Sequence, residues 1–366
     1  MESTSKPFAC LFITRITFSD LSIHVRPPSP LILHTQWRSI RLHLSQPLEN
    51  IQDLEGVGPV TANKLKEAGF DSIEAIAVAP IRELVDKAGL ESSAASKIVR
   101  AARQTIHMDL ITAKQLYDKR QSLLRLSTGS ENLNKLFGGG LETQAMTEFI
   151  GEFGTGKTQL CMKFCIMTQL PLEQGGLNAK VLFLDSEGTF APQRIHQIAQ
   201  AMSVDPEKIL EGIFIARTYN SDHQILTVDH AFKLCKEENI KLIIVDSVLS
   251  HFRSEYIGRE NLSERQQKLN AHLHKLTRIA QALNLAVVLT NQVQANPQAF
   301  FGDPTRPAGG NILAHASTHR IMLKKASSNL RCARIIDSPC LPESETYFAI
   351  TEKGVEDAQP KSRKGD

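Results

Sequence analysis

The sequence predicts an α/β fold with a mainly parallel central sheet, preceded by a small all-α domain. Three observations lead there. Continuous apolar runs rich in β-branched residues, Val181 to Asp185, Leu242 to Asp246 and Ala286 to Thr290, alternate with segments of helical periodicity. Strands buried on both faces of a parallel sheet read this way. Gly151-Glu152-Phe153-Gly154-Thr155-Gly156-Lys157-Thr158 follows an apolar run, Met146 to Ile150, and opens an amphipathic one, Gln159 to Met167. That is the strand, loop, helix order of a phosphate-binding turn. Upstream, glycine-bearing turns at Asp53 to Thr61 and Leu84 to Leu90 each lead into a helical pattern.

Composition bounds the function. The chain has 366 residues, 42% hydrophobic and 22% charged, enough for two cores. A net charge of +3 proves no nucleic-acid partner, so such a partner must rest on local basic clusters. The six cysteines form no C-x-x-C pair and no zinc spacing, which suits reduced thiols in a cytosolic or nuclear protein. No apolar run approaches the roughly 20 residues of a membrane span.

Taken in order, residues 1–46 are rich in proline and arginine and poor in acids, with the only tryptophan, Trp37. They are expected to be a disordered or spurious extension, a transit peptide being the alternative. Residues 47–107 carry the two glycine turns. They resemble a helix-hairpin-helix domain, in which hairpin amides contact DNA phosphates without reading sequence. Gly56 and Gly58 are then the candidate DNA-contacting residues; a plain helical bundle is the alternative. Residues 108–126 read as a linker, 127–357 as the α/β core and 358–366 as a disordered tail.

The phosphate-binding turn matches G-x-x-x-x-G-K-[ST] in full. Its glycines let backbone N–H groups turn towards phosphate oxygens, and the following helix presents its positive end. Lys157 adds a charge at the β- and γ-phosphates, and Thr158 a hydroxyl for Mg²⁺. Each core strand delivers a polar residue at its carboxyl end, where a nucleotide lies in such sheets. Asp246 is placed to hold Mg²⁺ through water, Glu187 to orient or deprotonate the attacking water, and Asn291-Gln292 to report the γ-phosphate.

The order of Gly151 to Thr158, Leu184 to Phe190, Ala216 to His223 and Leu242 to Ser247 resembles the RecA-like strand-exchange recombinases, most nearly those of the archaeal RadA type. The resemblance covers about residues 47 to 357 and includes Asp337 to Glu343 and Ile350 to Gly354. It implies a RecA-like P-loop ATPase core that uses ATP and Mg²⁺. It also implies helical filaments or rings of like subunits on single-stranded DNA, exchange with duplex DNA, recombination mediators, and a cytoplasmic, chromosome-associated site of action, nuclear in a eukaryote. A filament-regulating accessory protein and a helicase of the same core are the alternatives.

By matching motif, Arg194 would stack on adenine, Asp337 with Pro342 would cover a neighbouring subunit's ATP, and His315 would sense its γ-phosphate. Ala191 and Gln193 depart from the arginine and glutamate usual in the family, which touches contacts near the adenine. Two segments expected to be long irregular loops, His251 to Gln267 and Val293 to Ala308, match the family's DNA-binding loops. They make Arg253, Arg259 and Arg265 candidate DNA ligands, although interleaved Glu255, Glu260 and Glu264 also read as a solvated face. Leu110 stands where the family places a phenylalanine that docks on the adjacent subunit, and Ala113 keeps the family's alanine.

Overall fold

A computed structural model describes residues 50–106, 110–295 and 305–358. The expectations for residues 1–46 and for the tail beyond Ala358 lie outside them. After a 3-10 turn at Ile51–Asp53 come four helices, α1 (Pro59–Glu67), α2 (Ile73–Val78), α3 (Ile81–Ala88) and α4 (Ser92–Thr105). Gly58 caps α1 in an extended conformation and Pro59 opens it, where the missing N–H is no loss. Ser72 caps α2 by accepting from the Ala75 N–H at 3.2 Å. Gly56 and Gly89 turn left-handed, at φ +88° and +61°, a region that favours glycine. These helices close around their own core, with Leu65, Ile76, Leu84 and Ile98 fully buried.

The predicted linker is partly helical. The segment from Ala113 to Gln121 forms α5, started by a capping box between Thr112 and Gln115. The signal for it, Thr three residues before Gln, was in the sequence. Ala358, expected in the tail, accepts a hydrogen bond from Asn132 Nδ2 at 3.0 Å.

The larger core runs β1 (Arg125–Leu126), α6 (Glu131–Leu136), β2 (Leu141–Glu142), β3 (Met146–Gly151), α7 (Lys157–Gln169), β4 (Lys180–Asp185), α8 (Pro192–Ala201), α9 (Pro206–Glu211), β5 (Ile213–Arg217), α10 (Ser221–Glu237) and β6 (Ile240–Asp246). It continues through α11 (Ser250–Glu255), α12 (Leu262–Leu283), β7 (Ala286–Asn291), β8 (Val293–Ala295), β9 (Thr305–Pro307), α13 (Gly310–Ala316), β10 (His319–Lys325), β11 (Leu330–Asp337), β12 (Glu345–Thr351) and β13 (Gly354–Asp357). Nine strands form one mixed sheet in the order β13-β12-β11-β10-β3-β7-β6-β4-β5. From β10 to β5 every pairing is parallel, and β10 to β13 form an antiparallel meander. Both faces are covered. Val181 and Phe183 of β4 join one apolar cluster with α7 and α8, while Leu182 and Leu184 join another with α10 and α12. This strand alternation between two buried faces explains why the central runs are apolar throughout.

Two expectations are corrected. The helix after the phosphate loop is not amphipathic: every residue from Leu160 to Thr168 is buried, because α7 packs on the sheet, including its edge strand β13, and is covered by α8. The segment His251 to Gln267 is mostly helical, shared by α11 and the start of α12, with only residues 256–261 between them. Its mixed charges lie on a helix surface, as in the Glu264–Lys268 pair at 3.5 Å, one turn apart. The ends of the segment Val293 to Ala308 pair as the ribbon β8–β9, and residues 296–304 lie outside the described ones. Among the described residues no helix is long and apolar enough to cross a membrane.

Candidate nucleotide-binding site

The phosphate loop leaves β3 at the carboxyl end of the sheet and enters α7. Gly156 sits at φ +101°, and a Cβ there would meet Ile350 Cδ1 at 2.5 Å. The left-handed turn thus favours glycine there, while the Ile350 side chain end would have to move for any larger residue. Gly154 is also left-handed, at φ +75°. Gly151, Glu152, Phe153 and Thr155 complete the loop: Thr155 Oγ1 donates back to the Glu152 carbonyl at 2.9 Å, and Phe153 is exposed at the tip. Lys157 folds over the loop, its ammonium donating to the carbonyls of Gly151 and Glu152 at 2.8 and 3.0 Å. Burial holds this ammonium below the usual lysine range, opposed by the carboxylates of Asp246 and Glu187.

The neighbouring strand ends converge on that lysine. The Thr158 hydroxyl donates to Asp246 Oδ2 at 2.7 Å, and the Thr290 hydroxyl donates to Asp246 Oδ1. Burial raises the Asp246 carboxyl, and these two hydrogen bonds pull it back. A hydroxyl and a carboxylate 2.7 Å apart at the first turn of a phosphate-binding helix are the hard oxygen donors that Mg²⁺ takes. The residues present therefore fit both groups, nucleotide and cation.

Glu187 is exposed two residues past β4, and Gln292 Nε2 donates to its Oε1 at 3.1 Å. Its presentation depends on a residue that sequence reasoning passed over. The buried Asp185 accepts the N–H groups of Glu187, Gly188 and Thr189 on Oδ1 at 3.2, 2.7 and 3.1 Å. On Oδ2 it accepts the N–H of Phe190 and, at 3.2 Å, the Arg217 guanidinium. One carboxylate thus shapes the whole turn that carries Glu187. Thr290 and Arg217 were missed as well, since each acts through a partner on another strand. An aspartate ending an apolar run and followed by Ser-Glu-Gly was the available signal.

Arg194 donates to Gln159 Oε1 at 2.9 Å and to the carbonyls of Glu352, at 3.0 Å, and Thr351. Its guanidinium plane is therefore fixed between α7, α8 and the end of β12. Asp337 pairs in register with Arg320 near the start of β10, whereas the phosphate loop leaves beyond Gly151, which pairs with Leu323 farther along the same strand. Asp337, Pro342 and His315 are exposed, and the sheet register sets Asp337 at the end away from this chain's own phosphate loop. His315 lines a surface cavity of about 400 Å³ with Ser263, Gln266, Asn270 and His274.

Of the candidate DNA ligands, Arg253 lies on α11 and lines a cavity of about 330 Å³ shared with Ser247, Asn291 and Gln292. It is the arginine brought next to the strand ends. Arg259 lies exposed in the turn before α12, and Arg265 lies half-buried in its first turns. Gly56 and Gly58 sit apart from these, at the start of α1. Leu110 is wholly exposed, and Ala113 opens α5.

The chain matches the family model Rad51 over residues 119–358 and the SAM-like helix-hairpin-helix tandem over residues 48–104. Curated relatives include the DNA repair and recombination protein RadA of Ignicoccus hospitalis, 51% identical over 315 residues, which are 85% of this chain and 96% of the relative. The protein of the same name from Aeropyrum pernix is 49% identical over 312 residues, 85% of this chain and 98% of the relative.

Proposed function

The chain belongs to the Rad51 family, and on that premise we propose that it is an ATP-dependent DNA strand-exchange recombinase. It assembles on single-stranded DNA, pairs it with homologous duplex and hydrolyses ATP at the junctions between subunits. Its partners are single- and double-stranded DNA, further copies of itself and recombination mediators, on the chromosome in the cytoplasm. The observation that carries the reading is the contact of Gln292 with Glu187. One residue at the root of the β8–β9 ribbon touches the carboxylate best placed to activate water, which joins a DNA segment to ATP chemistry.

The backbone amides of Gly151 to Gly156 and the ammonium of Lys157 bind the phosphates, exchanging the carbonyl contacts of Lys157 for phosphate oxygens. Mg²⁺ would be held by Thr158 and Asp246 and, when bound, neutralises charge on the phosphate oxygens. Glu187 orients the attacking water and accepts its proton, and Gln292 fixes the Glu187 carboxylate. Arg194, pinned by backbone carbonyls, offers a flat cation beside the adenine. Asp337, Pro342 and His315 cover the ATP of an adjacent copy, which fits their exposure and the place of Asp337 at the far end of the sheet. Arg253, Arg259 and Arg265 bind the phosphates of single-stranded DNA, and the amides around Gly56 and Gly58 hold duplex backbone.

The test is strand exchange with the purified chain, ATP, circular single-stranded DNA and linear homologous duplex. Joint products are expected with the wild type and none with Lys157→Ala, whose ATP affinity falls while its melting temperature holds. No products from the wild type that binds ATP, or undiminished products from the variant, overturn the assignment.

A further inference from the structure

A buried pair of charges crosses the sheet behind the phosphate loop. Glu148 of β3 and Arg320 of β10 stand opposite each other in register. Both are buried, and Arg320 Nε donates to Glu148 Oε2 at 2.7 Å. The other carboxylate oxygen accepts Asn291 Nδ2 at 2.7 Å, and the same nitrogen donates to the Ala308 carbonyl at 2.8 Å. The Ala308 N–H in turn donates to the Gln292 carbonyl at 2.9 Å. One buried amide side chain therefore ties together the points where the β8–β9 ribbon leaves and rejoins the core. It anchors both on a carboxylate three residues before Gly151.

Net stability is a poor account of this arrangement, because desolvating two charges offsets most of their attraction. A fixed geometry is what a hydrogen-bonded buried network delivers. The requirement at position 291 is specific. Both partners of Nδ2 are acceptors, so turning the amide over would set oxygen against oxygen at each. Asn291 Oδ1 is itself buried without a hydrogen-bond partner among the described residues, so the contacts made there run through its donors. Ribbon and ATP site thus meet at adjacent residues: Asn291 holds the ribbon's return at Ala308, and Gln292 holds Glu187.

We propose that Asn291 is a positioning residue that transmits DNA engagement of the β8–β9 ribbon to the Gln292–Glu187 pair, using Glu148 and Arg320 as its fixed anchor. The inference rests on the recombinase reading above. A ribbon that shifts on DNA moves the Ala308 carbonyl and N–H together. Asn291 and the Gln292 carbonyl follow, and the Gln292 side chain is reset against Glu187.

Four quantities are measured for the wild type, Asn291→Ala and Asn291→Leu: ATP turnover without DNA, turnover with single-stranded DNA, affinity for a fluorescent ATP analogue, and affinity for a labelled oligonucleotide. Leucine keeps the branched heavy-atom shape and removes both hydrogen bonds. In both variants the oligonucleotide affinity is expected to stay within about twofold of wild type, while stimulation by DNA, the ratio of turnover with DNA to turnover without it, falls about tenfold, the size of an ordinary coupling between sites. Full stimulation in the variants overturns the inference and leaves the recombinase reading standing. A proportional fall in both rates overturns it too, since Asn291 would then be merely structural. A wild type with no stimulation by DNA defeats the functional reading and this inference with it. Where a variant does not fold, hydrogen exchange on the wild type decides. Adding DNA is expected to change protection at 305–308 and at 146–151 together, and a change confined to 305–308 overturns the coupling.

Discussion

At the scale of single residues, the nucleotide site holds its charges at a cost that its ligand removes. Burial depresses the Lys157 ammonium and raises the Asp246 carboxyl, and phosphates with their cation restore a partner to each. Glu187 differs from both, because it stays exposed and is held by Gln292. Glu187→Gln keeps shape and hydrogen-bonding capacity but cannot take a proton. ATP and DNA binding are therefore expected to stay at wild-type strength while turnover falls about 100-fold or more. Steady-state hydrolysis beside nucleotide titration checks this, and wild-type turnover in the variant would move the role to another group. Lys157, Thr158, Asp246 and Glu187 were legible because each stands at a fixed offset from a glycine turn or an apolar strand. Asp185, Thr290, Glu148 and Asn291 were less so, since what defines them is a partner from a strand remote in sequence.

At the scale of elements, α12 shows where local reading stopped. It runs 22 residues, about 33 Å at 1.5 Å per residue. Its first turns looked like a loop because apolar anchors there are sparse and charges dense. Farther along, Leu269, Leu273 and Leu276 bury one face. That face also buries His272, which shares a contact of 3.2 Å with Gln224 and packs near Phe252. Burial lowers the imidazole to about 4 from 6.5, so the folded chain keeps it neutral. Above pH 6.5 neither state binds a proton there and the contribution to stability is complete. As pH falls from 6.5 towards 4, the unfolded chain gains a proton that the folded chain refuses, and stability drops by up to about 1.4 kcal/mol per unit. Between pH 7 and 5 this group alone removes about 2 kcal/mol. His272→Leu is expected to flatten the decline by that amount in urea unfolding at the two pH values. An unchanged pH dependence would show that the imidazole is protonated in the fold.

At the scale of the whole molecule, the amino-terminal helices are fastened to the core by charges that no local pattern predicts. Glu83 of α3 faces Lys275 and Arg278 of α12 at 3.7 and 3.2 Å, and Lys87 meets Asp229 of α10 at 2.8 Å. The fold class and the parallel strands were legible from apolar runs. The antiparallel meander β10 to β13 was not, because its strands are half-exposed and their order is set by tertiary pairing.

That layout bears on how copies join. Asp337 lies at one end of the sheet and the phosphate loop at the other, so a contact that brings one copy's Asp337 to the next copy's ATP is head-to-tail and propagates. Leu110, wholly exposed just before α5, is proposed as a second point of attachment, and among the described residues the edge strand β5 offers exposed Ile215 and no further strand beside it. Leucine buries less apolar area than the phenylalanine of the resembling family and has no ring, which on this proposal would weaken each junction by about 1 kcal/mol. Leu110→Phe is therefore expected to assemble at a several-fold lower concentration without DNA. Leu110→Glu, which would carry an unpaired charge into the contact, is expected to sediment as a monomer that still binds ATP. Sedimentation velocity of the three proteins over a concentration series decides. If the glutamate variant assembles as the parent does, the junction is made without Leu110 and the head-to-tail contact must rest on the Asp337 surface.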